Sequence, residues 1–127
     1  MSKQQTIALI AHDGKKEALV KFVADNRSWF ERFNLVATGT TGGRIAELGV
    51  EVERLASGPL GGDAQIAARI TEGQVHAVIF YRDPMGKHPH EPDINMLLRQ
   101  CDVHNIPLAT NGATARLLIG SHGFGGE

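Results

Sequence analysis

The chain of 127 residues contains a single cysteine, Cys101, which excludes an internal disulfide and points to a reducing compartment, the cytoplasm. It lacks an excess of charge of either sign, with 13 Lys and Arg against 14 acidic residues and a formal net charge of −1. That balance excludes the broad basic footprint of a nucleic-acid binder, so any recognition of anions must be local. It also has no apolar run long enough to span a bilayer and no secretory pattern at its start, so no membrane partner is expected. What it does have is 42% hydrophobic composition, enough at this length to bury one continuous core. One domain over residues 1–127 is expected, with the Gly-rich end "GSHGFGGE", from about residue 120, as a frayed tail.

Five short apolar runs recur along the chain: "TIALIA" (6–11), "LVAT" (35–38), "VEVERLA" (50–56), "AVIFY" (77–81) and "PLAT" (107–110). These read as strands. Between them lie helical periodicities, with Ala18, Leu19, Phe22 and Val23 marking the first and Ile66, Ala67 and Ile70 the third. Strand alternating with helix predicts βαβ units, hence an α/β fold. The arrangement expected is a three-layer sandwich around a five-stranded parallel sheet, flavodoxin-like or Rossmann-like. The runs at 6–11 and 77–81 are almost continuously apolar, as central strands buried on both faces should be.

The segments after the strands are "HDGKK", "GTTGG", "SGPLGGD", "RDPMGKHPHEPD" and "NGAT". All are polar, turn-forming and rich in hydroxyls, glycines or ionisable groups, whereas the connections at the opposite edge, such as "EGQVH", are plainer. In open α/β sheets ligands bind outside the carboxyl ends of the strands, so these loops should converge on one site.

In "ATGTTGG" (37–43) glycines allow close backbone approach and Thr38, Thr40 and Thr41 supply hydroxyls. A helix expected to begin near Arg44 would add unpaired N–H groups, making a small-anion cradle. The plainer reading is a helix N-cap and a turn. Lys16, a cation in the first turn of the first helix, is oddly placed for a helix start and suits a phosphate partner. In "SGPLGGD" (57–63) Asp63 directly precedes "AQIAARI" and reads first as a helix N-cap. A cap requires none of the glycines around it. Gly58, Gly61 and Gly62 would let a flat substrate lie against bare backbone while Asp63 reaches one of its carbons.

The longest connection, residues 83–93, holds His88 and His90 between Asp83 and Asp93 and is stiffened by Pro84, Pro89 and Pro92. Stiffness serves a general acid that must stay within hydrogen-bond reach of the atom it protonates. Asp93 could hold an imidazole or cap the helix beginning at "INMLLRQ". A metal could be drawn from His12, Asp13, His88, His90 and Asp93, but the spacing matches no recognised metal motif. His12 directly follows the first strand and should reach the site.

Taken together, "ALIAHDGKK", "ATGTTGG", "SGPLGGD", "RDPMGKHPHEPD" and "IPLATN" resemble, in order, the motifs of the methylglyoxal synthase family over residues 7–119. The resemblance implies a homohexamer that converts dihydroxyacetone phosphate to methylglyoxal and inorganic phosphate without metal or organic cofactor. It implies Asp63 as the catalytic base, His90 as the group that polarises or protonates the substrate oxygen, and Asp13 and Asp93 as supporting carboxylates. His12, Lys16, Thr38, Gly39, Thr40, Thr41, Ser57 and Gly58 match substrate and phosphate contacts, and inorganic phosphate, as product, is an expected inhibitor. Longer members of the family continue past the point where this sequence stops, so the resemblance leaves subunit contacts and any cooperativity toward phosphate open. The rival reading is a non-catalytic module binding small anions or effectors. The same fold resembles the regulatory domain of carbamoyl phosphate synthetase, and fold alone does not assign function.

Overall fold

The two strands with almost continuously apolar sequences, β1 (Thr6–Ala11) and β4 (Ala77–Tyr81), lie side by side at the centre of the sheet. The computed structural model describes residues 5–86 and 91–120. β2 (Asn34–Thr38) and β3 (Glu53–Leu55) continue the sheet beyond β1, and β5 (Leu108–Ala109) flanks β4. All four pairings are parallel, in the order β3-β2-β1-β4-β5. This is the Rossmann order without its sixth strand, rather than the flavodoxin order, and it reverses direction between β1 and β4.

Each central strand feeds two cores because successive side chains point to opposite faces. Ile7, Leu9 and Ala11 of β1 join Ala77, Ile79 and Tyr81 of β4 on one face. They are covered by α1 (Lys16–Asp25), the one-turn α2 (Arg27–Phe30), α3 (Gly39–Ala46) and α6 (Gly112–Ile119). Ala8 and Ile10 join Val78 and Phe80 on the other face, under α4 (Gly62–Thr71) and α5 (Glu91–Val103). Both faces of the centre are therefore dry, which is why those strands carry no polar alternation.

Several boundaries depart from the sequence reading. The third strand, expected over 50–56, pairs only at Glu53–Leu55, and the fifth, expected over 107–110, only at Leu108–Ala109. Both are edge strands with one neighbour, so less of each run is held in the ladder. In α1 the buried stripe is Leu19, Val20, Phe22 and Val23, with Ala18 turned outward. α2 was not expected. It sits where Trp29, Phe30 and Phe33 stack on one another, with ring centroids 5.1 Å apart for Trp29–Phe30 and 4.6 Å for Trp29–Phe33.

Cys101 is buried in the second core, beside Ile94 and Leu97. Burial pushes its thiol up to about 11, with Asp102 adding to the rise. Since the thiolate is the reactive species, Cys101 should not react with a thiol reagent at neutral pH in the folded protein. Labelling followed through a urea titration should track global unfolding, and rapid labelling without denaturant would show that this core opens locally.

Candidate active site

Four of the five strand ends converge on one open pocket of about 490 Å³, lined from β1 by His12, Asp13, Gly14 and Lys16 and from β2 by Thr38 and Thr40. The segment after β3 adds Ser57, Gly58, Pro59 and Asp63, and the segment after β4 adds Asp83 and Gly86. The pocket sits where the sheet order reverses, the position at which doubly wound sheets open a crevice.

His12 and Asp83 are held by an extension of the β1–β4 ladder. The His12 N–H donates to the Tyr81 carbonyl at 3.1 Å, and the Asp83 N–H donates to His12 Nδ1 at 2.9 Å. Accepting at Nδ1 places the proton of the neutral ring on Nε2. The imidazole is 6% exposed and meets the edge of Phe80 at 5.1 Å and 77°. Asp83 Oδ1 accepts from the Met85 N–H at 3.1 Å, and a methyl group at Gly14 would lie 3.2 Å from Asp83 Oδ2. Asp83 was not among the residues singled out for the site. Its signal in the sequence was its place just beyond an unbroken apolar strand, on the loop already marked as functional.

Lys16 opens α1 half-buried and pairs at 2.7 Å with Asp13, whose side chain is 96% exposed. Asp13 therefore stands at the pocket rim as the counterion of a lysine that lines it.

The anion cradle is built differently from expectation, because α3 begins at Gly39 instead of near Arg44. Glycine-rich sequence has low helix propensity, and here tertiary packing overrides it. Thr38 is the N-cap, though its side chain makes no capping bond. The N–H of Gly39 donates to the Ala56 carbonyl at 3.3 Å, while those of Thr40 and Thr41 reach no described carbonyl. Gly39 has φ +27°, and a Cβ there would fall 2.7 Å from Ser57 Cα, so the second and third loops touch through bare backbone. Thr40 is exposed on the pocket wall. Thr41 is fully buried behind it, with Oγ1 bonded to no described residue.

Asp63 is not the N-cap. Gly61 takes that place with φ +105°, and Asp63 is the second residue of α4, inside its first turn. It is 0% exposed yet lies on the pocket wall. Two of the nearby glycines have internal reasons to be glycine. Gly61 needs its left-handed backbone, and a Cβ on Gly62 would collide with the Ala56 carbonyl oxygen and come within 2.8 Å of Thr38 Cγ2. Ser57 supplies the turn, its carbonyl accepting from the Leu60 and Gly62 N–H groups at 3.0 and 2.9 Å.

The structure thus brings together His12, Asp13, Lys16, Thr38, Thr40, Ser57, Gly58 and Asp63, with Gly39 and Thr41 directly behind. Asp93 is half-buried as the third residue of α5 and is not on the described pocket wall. His88 and His90 lie outside the described residues. Among the described residues, no group of three or more His, Cys, Asp or Glu side chains is placed to hold a metal, and no helix is long and apolar enough to cross a membrane.

Residues 18–110 match the model of the MGS-like domain family. The chain is 58% identical over 120 residues to a methylglyoxal synthase of Ralstonia nicotianae, covering 94% of this chain and 89% of that one. It is equally identical over the same length to a methylglyoxal synthase of Burkholderia multivorans, of which it covers 92%. The crystal structure of a methylglyoxal synthase from Elizabethkingia anophelis superimposes with a TM-score of 0.87 at 46% identity, over 95% of this chain and 80% of that one.

The two glycines make a discriminating pair. Gly61→Ala places a methyl group in open space and should cost only the left-handed backbone penalty, about 1–2 kcal/mol. Gly62→Ala drives a methyl group into the Ala56 carbonyl of its own segment and against Thr38 Cγ2, and should lower stability by roughly 1–3 kcal/mol while displacing Asp63. Urea midpoints and turnover measured together should therefore separate them, with turnover collapsing in Gly62→Ala alone. Equal turnover in the two variants would show that the loop contact does not place the carboxylate.

Proposed function

The chain belongs to the methylglyoxal synthase family, and we propose that it acts on dihydroxyacetone phosphate with Asp63 as the base. The observation that carries this reading is a carboxylate with no exposed surface on the wall of a pocket that also holds Lys16, threonine hydroxyls and a helix N-terminus. A pocket of this size suits a three-carbon phosphate, and a buried base is shielded from competing protonation by bulk water.

In this mechanism Asp63 removes a proton from the hydroxymethyl carbon of the substrate. The electron pair forms a carbon–carbon double bond and the carbonyl oxygen takes up the negative charge. That oxygen needs a donor where the charge grows, a role assigned to His90 by its motif and open to His12 through Nε2–H. Collapse of the enediolate breaks the bond between carbon and the bridging phosphate oxygen, releasing inorganic phosphate and the enol of methylglyoxal, which gains a proton on carbon to become the product.

The leaving phosphate is held by Lys16, Thr38, Thr40, Ser57 and the open end of α3, since N–H groups at a helix start favour anions. Gly39 and Gly58 supply backbone there, and Thr41 supports the cradle from behind. Asp13 orients Lys16, and Asp93 supports His90. Bound in the same cradle, inorganic phosphate inhibits competitively. The protein works in the cytoplasm as a homohexamer, with the whole chain as one domain and neither metal nor organic cofactor.

Incubated with dihydroxyacetone phosphate and a chelator, the protein should release methylglyoxal and inorganic phosphate in equal amounts. Asp63→Asn should retain substrate binding and lose at least roughly 10²–10⁴-fold in kcat, the range for loss of a general base. A wild-type protein that binds phosphate esters without forming product would overturn the catalytic reading in favour of an effector-binding module, and an active Asp63→Asn would move the base elsewhere.

A further inference from the structure

A second pocket, of about 360 Å³, opens at the same sheet edge on the opposite face. Its position follows from strand parity. Phe80 and Tyr81 are consecutive in β4, so Phe80 points toward the α4 face, where it meets His12, and Tyr81 points toward α1 and α6.

Four cations line this pocket, Lys15, Lys21, Arg82 and Arg116, against one carboxylate, Asp25. Lys21 is paired with Asp25 at 2.7 Å. Lys15, Arg82 and Arg116 form no ion pair among the described residues. Three positive charges without a described carboxylate partner around one concavity give it a positive potential that attracts anions.

Two further features point to a ligand rather than to a solvated basic surface. Tyr81 is only 6% exposed and lines the pocket, yet its hydroxyl makes no hydrogen bond with any described residue. The ring is packed into the core while the hydroxyl opens into the pocket, where it is available to donate to a ligand. Burial raises the pKa of this phenol while Arg116 opposes the rise, so the two groups share one field. The second feature is the start of α6. Asn111 caps it by accepting from the Thr114 N–H at 2.9 Å, and Gly112, whose N–H meets no described carbonyl, lines the pocket. A Cβ at Gly112 would come within 3.3 Å of the Tyr81 hydroxyl and 3.5 Å of Arg116 Nη1. Glycine there keeps hydroxyl, guanidinium and helix N-terminus open to one small group.

We propose that this pocket is a second anion site that binds a phosphate dianion, free or carried on a small metabolite, between Arg116, the Tyr81 hydroxyl and the Gly112 N–H. Lys15 and Arg82 complete the charge balance. Arg82 is fixed by its N–H bond to the Thr110 carbonyl at 3.3 Å, which continues the β4–β5 ladder. The site shares backbone with the active pocket but none of its described lining residues. Its existence does not depend on the chemistry assigned to Asp63.

The test is an amide-resolved NMR titration of the full-length protein with inorganic phosphate and, separately, with glycerol phosphate. Saturable shifts at Gly112 and Ala113 are expected, distinct from those at Gly39 and Thr40. Arg116→Gln should weaken the Gly112 response roughly tenfold or more and Tyr81→Phe several-fold, as expected for losing bonds to a charged ligand. The Gly39 response and kcat without added phosphate should stay at wild-type values in both variants, which also reports that they are folded. A midpoint at Gly112 lower for glycerol phosphate would identify an organic phosphate as the occupant, and a lower one for inorganic phosphate would identify the free ion. No saturable change at Gly112, or one with the same midpoint in both variants, would refute the site.

Discussion

The hydrogen-bond ladder between β1 and β4 runs past the ends of both strands, and the chemistry of this fold depends on that overrun. Within the sheet it pairs Ile7 with Ala77 through to Ala11 with Tyr81. Beyond the sheet the same pattern is continued by the His12 N–H to the Tyr81 carbonyl and then by an imidazole nitrogen receiving the Asp83 N–H. A side chain thereby takes the place of a backbone acceptor. One consequence is that the histidine tautomer is set by main-chain geometry, which is more rigid than a partner on a free side chain. Another is that two loops separated by about seventy residues are tied together at the pocket.

A second contact ties the remaining loops to this frame. The segments after β2 and β3 meet closely at Gly39 against Ser57, and Gly62 packs against the Ala56 carbonyl of its own segment and against Thr38 Cγ2 at the end of β2. The crowding of glycines around Asp63 is thus largely a packing requirement. Gly61 supplies an unusual φ and Gly62 removes a methyl group that has nowhere to go, which leaves Gly58 as the glycine of that stretch lining the pocket. Small residues here bring two polypeptide segments close enough for hydroxyls from one and a carboxylate from the other to face the same small volume. The energetic penalty of ordering glycines is met by two well-packed cores beneath them.

The sheet was legible because its central strands are buried on both faces, and burial on both faces leaves an unbroken apolar run that no loop imitates. The sorting of polar loops to one edge was legible for the same reason, since each follows directly from the end of such a run. The limits of the edge strands were not, because Val50 is buried without belonging to the ladder, so hydrophobicity there reports packing and not pairing. The start of α3 was misread because propensity argues against a helix in "GTTGG", while contact with Ser57 and Arg54 enforces one. Asp63 was read as a cap because aspartate commonly is one; only the positive φ of Gly61, a backbone property, moves the cap two residues upstream. Asp83 went unselected because the bond that ties it to His12 comes from its main-chain N–H, which every residue but proline possesses.

Strand parity explains why one sheet edge can carry two pockets of different character. Successive residues of a strand face opposite layers, so Phe80 supports the imidazole on one side while Tyr81 closes a basic concavity on the other. The same alternation is echoed just beyond β1, where Lys15 lines the second pocket and Lys16 the first. Any displacement of the β4 end along its ladder would therefore be felt on both faces at once, through one backbone shared by the Tyr81 hydroxyl and the bond that fixes His12.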